Sequence, residues 1–218
     1  MELSLIIPSI RPGFFSQFMK SVEKNTQGID LEVLENHEVG NLYEIIDKEF
    51  RRATKKYVCL TCDETVFHED WAKSMIEMLD PEPKYTMGNF NLTTDDRGSS
   101  RPLNIRYYNK LCSIIPFFRR EDVDGDMFDL RFKRFYGDID LSLRFWAAGG
   151  KVITCPQSRV TMFSNRDNIK KKAVSEYSKL DEIEFKKKWD NYDFNLHGNT
   201  ETPRMLQETV RNCPKFGG

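Results

Sequence analysis

The chain has 218 residues, 39% hydrophobic and 31% charged, with 33 Lys+Arg against 34 Asp+Glu and a formal net charge of -1. That length supports one sizeable core with room for an appendage, and the charge balance excludes a global pull toward nucleic acid or anionic membrane. The opening apolar run, Leu3 to Pro8, has no cationic leader and is too short for a signal or spanning segment; no longer apolar stretch follows. A soluble, cytoplasmic protein is expected.

In chain order, Ser4 to Pro8 is an apolar run of strand length closed by Pro8, Pro12 and Gly13. Phe14 to Lys24 places apolar residues at helical spacing, Leu31 to Leu34 is a second short strand, and Leu42 to Ala53 returns to the helical period. Tyr57 to Leu60 is a third strand and Trp71 to Leu79 a third helix. This β-α-β-α-β-α order predicts an α/β fold with a parallel, doubly wound sheet, whose ligand lies beyond the carboxyl ends of the strands. Tyr85 to Leu92 and Cys112 to Phe118 read as strands, separated by a polar stretch, Thr93 to Asn104, expected to be a mobile surface loop. Asp138 to Ala148 is helical, Lys151 to Thr154 a strand, and Asn168 to Trp189 a charged helix or helix pair. The expected organisation is one domain over residues 1–164 with a helical C-terminal extension over 165–218.

Five scattered cysteines do not form a disulfide framework. Cys59 and Cys62 make a C-x-x-C, but no second pair completes a zinc site, and the pair lies in a strand rather than at a helix start. Packed core thiols are the simpler account.

Two groups of carboxylates could carry chemistry. Asp63 and Glu64 follow the third strand directly, where adjacent negative charges repel unless a cation or donors offset them. A hard divalent ion suits such a pair and bridges readily to a diphosphate; the alternative is that Asp63 or Asp70 only caps the next helix. Asp138 opens a helix in an apolar neighbourhood of Phe135, Tyr136, Ile139 and Trp146. It is either a cap favoured by the helix dipole or a general base whose pKa burial raises. Asp140 and Arg144 form an i,i+4 pair, commonly a solvated bridge.

Several segments, taken in order, resemble the GT-A glycosyltransferases, in particular the large inverting, family 2-like nucleotide-sugar family. They are Ser4-Leu5-Ile6-Ile7-Pro8-Ser9-Ile10-Arg11, then Cys59 to Trp71 with Asp63-Glu64 inside it. Phe117 to Arg120 follows with Phe128-Asp129-Leu130-Arg131-Phe132, similar to an "FDxxF" turn. Gly137 to Arg144 and Ala148 to Val152 resemble an "ED-x-DL-x-x-R…G-x-x-V" block, and Phe185 to Trp189 an "F-x-x-KW" element. The resemblance spans most of the chain. It implies a Rossmann-like, mostly parallel sheet flanked by helices, and a hexosyl- or pentosyltransferase using a UDP-linked sugar. It implies a nucleotide pocket at Pro8, Ser9, Arg11, Glu35 and Asp63, and Mn2+ or Mg2+ at Asp63 and Glu64, with His197 as a further ligand. It makes Asp138 the base that deprotonates the acceptor hydroxyl for a single inverting displacement, with Arg119, Arg120 and Trp146 on the acceptor side. The chain departs from the pattern at Gly137, where the family has the Glu of its "ED" pair. Glu35 and Glu38 both compete for the acidic position that closes the second strand.

Basic residues around Arg97 to Arg134 mix with Tyr107, Tyr108, Phe117 and Phe118, a combination that suits stacking on a sugar or a base. A saccharide acceptor is the default, with hydroxyl-bearing modified DNA the other candidate. Lys170-Lys171-Lys172 and Lys186-Lys187-Lys188 read as solvated helix faces. Two competing functions stand beside transfer. One is a non-catalytic nucleotide-sugar or nucleic-acid binding module with a decayed site. The other is a sugar nucleotidyltransferase, which the lack of a glycine-rich phosphate loop near the first strand disfavours.

Overall fold

A computed structural model describes residues 1–96, 99–102, 112–163 and 168–189. The order is β1 (Glu2–Pro8), α1 (Pro12–Asn25), β2 (Asp30–Asn36), α2 (Leu42–Arg52), β3 (Tyr57–Leu60), β4 (Thr65–Phe67), α3 (Trp71–Leu79), β5 (Thr86–Asp96), β6 (Ser99–Pro102), β7 (Phe117–Arg119), α4 (Gly137–Ala147), β8 (Lys151–Phe163) and α5 (Asn168–Lys188), with a 3-10 turn at Arg120–Asp122.

All eight strands join one sheet in the order β2-β1-β3-β7-β5-β8-β4, with β6 paired to β5. β1 is parallel to both β2 and β3, and β5 is parallel to β8. The sheet is nevertheless mixed, because β7 runs antiparallel between β3 and β5, and β4 runs antiparallel to β8. Period-2 alternation serves both faces. Leu3, Leu5, Ile7, Tyr57 and Cys59 point into a core shared with α1 and α3, whereas Ile6, Val58 and Leu60 point into one shared with α2, α4 and α5. Buried on both sides, β1 and β3 read as continuous apolar runs for that reason.

Two expectations change here, and one strand is new. Cys112 to Phe118 is strand only from Phe117, since Cys112 to Pro116 is irregular. The polar stretch after Leu92 is not simply a loop, because Thr93–Asp96 extends β5 and pairs antiparallel with Ser99–Pro102. The three residues of β4 carried no pattern long enough to recognise. Among the described residues no helix is long and apolar enough to cross a membrane.

α5 packs against the domain through buried Phe185 and Trp189. Lys188 is no solvated residue: its side chain is only 6% exposed and its ammonium meets Asp140 at 2.7 Å and Asp129 at 2.8 Å. Lys186 and Lys187 do form outer-face pairs with Glu182 and Glu184.

Candidate active site

A cavity of about 1240 Å³ opens at the carboxyl ends of β1 and β3, where an open α/β sheet places its ligand. One wall is Pro8 to Arg11 with Thr61 to Glu64, and another is Glu38 to Ile46 at the start of α2. The third combines Lys133 to Tyr136, Asp138 and one face of α5.

The first wall is built from charges held together. Asp63 and Glu64 are 4% and 5% exposed, and such burial of two adjacent carboxylates requires compensation. Ser9 Oγ donates to Asp63 Oδ2 at 2.5 Å, and Arg11 Nε donates to the same oxygen at 3.1 Å. A second guanidinium nitrogen of Arg11 meets Asp63 Oδ1, and a third donates to Glu64 Oε1 at 2.6 Å. Burial alone would lower the pKa of Arg11, but hydrogen bonds and the charges of Asp63 and Glu64 outweigh it and raise the pKa further. Asp63 caps no helix, since β4 follows it. Asp70 stands before α3 with φ of 56° and makes no side-chain cap bond.

The donor set suits a hard divalent cation only in part. Two carboxylates can form one edge of an oxygen shell that diphosphate and water complete. Arg11 holds those oxygens in this structure, and among the described residues no group of three or more His, Cys, Asp or Glu gathers. His197 lies outside the described residues.

Asp138 faces the same cavity from the start of α4. Loss of hydration pushes its carboxyl up to about 6, although the backbone N–H groups of Ile139 and Asp138 itself oppose the shift. It has some cap character, yet the proton affinity is that of a base useful near neutrality. Gly137, just before it, donates its N–H to Tyr43 Oη at 2.9 Å. A Cβ at 137 would lie 2.6 Å from that oxygen and closer still to the ring. The Tyr43 hydroxyl is raised well above its ordinary pKa by burial and then by the Asp138 charge. Asp140 and Arg144 are buried rather than solvated, joined at 3.1 Å, with Trp189 Nε1 donating to Asp140 at 2.8 Å.

The structure thus brings together Pro8, Ser9, Arg11, Asp63, Glu64 and Asp138. It does not bring the others to the cavity. Glu35 is exposed on β2 outside the lining, while Glu38, its competitor, lines it. Arg119 turns its guanidinium to the carbonyls of Leu79, Glu82 and Pro83, and Arg120 lies over the Phe50 ring at 4.1 Å. Trp146 is 4% exposed in the core between sheet and helices. Cys59 and Cys62 are both free, and the Cys59 thiol is raised by complete burial. Sequence reasoning missed Tyr43, whose signal was only an aromatic near the start of an amphipathic helix.

No protein-family model matches the chain, and no curated protein matches it in sequence. Solved structures do match in shape. A structure of GalNAc-T7 with UDP, GalNAc and Mn2+ aligns at a TM-score of 0.61 and 13% identity, covering 98% of this chain and 55% of that one. S. aureus TarS (residues 1-349) with UDP-GlcNAc aligns at 0.57 and 12% identity, covering 77% and 60%, and its complex with UDP at 0.55 and 12%, covering 76% and 61%. The chain therefore spans about half to three-fifths of the length of these neighbours. The likeness establishes the fold, a GT-A-type mixed sheet flanked by helices.

Proposed function

We propose that this GT-A-fold chain is a glycosyltransferase that takes a sugar from a UDP-linked donor and transfers it to an acceptor hydroxyl with inversion. The observation that carries this is one cavity with two unlike acidic walls. Asp63 and Glu64 are buried and ion-paired with Arg11, while Asp138 on another wall, with no cationic partner among the described residues, is pushed up to about 6 by loss of hydration. A carboxylate pair braced by a guanidinium suits binding, and a desolvated carboxyl without a cation suits proton transfer. The fold neighbours crystallised with UDP, UDP-GlcNAc or Mn2+ support a nucleotide-sugar donor.

In this reading Pro8, Ser9 and Arg11 bind the nucleotide side of the donor, and Asp63 orients its ribose or diphosphate. Asp138 accepts the proton of the acceptor hydroxyl as that oxygen attacks the anomeric carbon and the bond to the diphosphate breaks. Asp63 and Glu64 would hold Mn2+ or Mg2+, which when bound supplies charge neutralisation to the departing diphosphate. The acceptor is a saccharide by default. Lys133, Arg134 and Lys172 on the cavity wall leave a polyanionic acceptor such as modified DNA as the second candidate.

A screen of nucleotide sugars by thermal shift, with and without manganese, tests the donor side, because a ligand bound only to the folded state raises its stability by mass action. Asp138→Asn should abolish transfer while leaving that stabilisation intact, and wild-type turnover should fall as pH drops through about 6. Near-normal turnover by Asp138→Asn would remove the base assignment. Stabilisation without transfer to any acceptor would favour the binding module.

A further inference from the structure

The segment that delivers Asp138 to the cavity has little regular structure between the 3-10 turn Arg120–Asp122 and α4. A buried backbone without a ladder must find its hydrogen-bond partners elsewhere. Here side chains supply them. Phe128 N–H donates to Asp47 Oδ1 at 3.0 Å, and Gly137 N–H to Tyr43 Oη at 2.9 Å, both acceptors standing on α2. Between these two, the successive N–H groups of Lys133, Arg134 and Phe135 donate to the carboxylate of Asp181 at 2.9, 2.8 and 2.8 Å.

Asp181 belongs to α5, far along the chain, and is 1% exposed. Burying a carboxylate is costly without donors, and three aimed N–H groups offset that cost in the manner of an anion nest. The next residue, Tyr136, has φ of 66°, a conformation disfavoured for a bulky side chain. It is held there by ring contact with Phe185 of α5 at 5.0 Å and by Asp140 N–H donating to its carbonyl at 2.8 Å. On the other side of Asp138, Trp189 and Lys188 close on Asp140. The C-terminal segment thus grips the chain immediately before and immediately after the acidic residue that faces the cavity.

We propose that Asp181 is a positioning residue for Asp138, and that α5 fixes the orientation and solvent shielding of that carboxylate through Asp181 and Trp189. This rests on Asp138 being the base. The helix is then part of the catalytic apparatus: one face lines the cavity through Ile169, Lys172 and Tyr177, while another holds the base in register.

The test follows the side-chain carboxyl 13C resonance of Asp138 through a pH titration of the full chain, assigned by its loss in Asp138→Asn. Asp181→Asn keeps the shape but replaces one accepting oxygen by an amide. The Asp138 midpoint should then move down by about one pH unit, toward the ordinary carboxylate value, with Asp181→Glu restoring part of it. With a donor found by the stabilisation screen, kcat should drop about 10- to 100-fold while the donor KM stays near wild type, the signature of a misplaced catalytic group. If the Asp181 variants fail to fold, Trp189→Phe keeps the ring and removes one donor to Asp140, and the same midpoint shift is expected. An unmoved Asp138 midpoint in a folded variant would overturn the positioning role, as would a kcat loss matching only the folded fraction. Should the wild type transfer no sugar, the base assignment falls, and the carboxyl titration still decides what Asp181 does.

Discussion

Arg11 is the residue on which the donor side turns, because it meets the charge of both Asp63 and Glu64. Its side chain is 18% exposed whereas theirs are 2% and 6% exposed, so removing it takes the cationic partner from two shielded carboxylates. Arg11→Gln should cost about 3 kcal/mol, the lower end for breaking a buried pair. A divalent cation would then meet those oxygens without the guanidinium as a competitor. Manganese should therefore raise the melting temperature of Arg11→Gln more than that of the wild type, measured without nucleotide. Equal rises would show that guanidinium and metal do not share the site. At this scale, the placing of Asp63, Glu64 and Asp138 at one cavity was legible because strand ends and helix starts in an α/β order fall on the same side of the sheet. Arg119 and Arg120 were not: whether an arginine faces a cavity or a ring of carbonyls depends on packing across the sheet, which local sequence does not encode.

Among the elements, α2 does two jobs. Its N-terminus lines the cavity, and its buried face supplies Tyr43 and Asp47 to the segment that carries Asp138. Asn41 starts it, accepting from Tyr43 N–H at 3.1 Å and donating to Glu44 at 2.8 Å. Asn41→Ala should cost about 1 kcal/mol, read by urea unfolding; because the lost bond holds the backbone of Tyr43, nucleotide-independent stability should suffer before donor affinity does. An unchanged unfolding midpoint would mean the helix start is held by its packing alone. Six of the seven elements through Leu79, all but β4, were legible because strand and helix periods alternate cleanly there. The second half was less so. β7 is three residues inserted antiparallel between two parallel strands, and neither its direction nor its neighbours leave a trace in hydropathy. The β5–β6 hairpin is built from polar residues whose pairing is made by backbone groups.

For the whole molecule, acid–base balance and folding are linked. Desolvation pushes both Asp47 and Asp138 up to about 6. The folded chain therefore holds these protons more tightly than the unfolded chain does, and stability should decline as pH rises from about 4 to about 6, then level off. Glu32, Asp80 and Asp129 are shifted downward and act oppositely, but only at more acidic pH. Asp47 is 2% exposed and its Oδ2 has no hydrogen-bond partner among the described residues. Asp47→Asn should remove on the order of 2–3 kcal/mol of that decline, measured as unfolding free energy across the same window. A slope equal to that of the wild type would assign the titration elsewhere.

The contact between Tyr43 and Gly137 reaches beyond this one chain. The two positions stand 94 residues apart, yet the ring occupies the space into which any side chain at 137 would grow. Natural relatives should consequently fall into two populations, one pairing an aromatic at the first position with glycine at the second, the other pairing a small residue with an acidic one. Chains that cross the two types should be selected against, so the two positions should covary among related sequences.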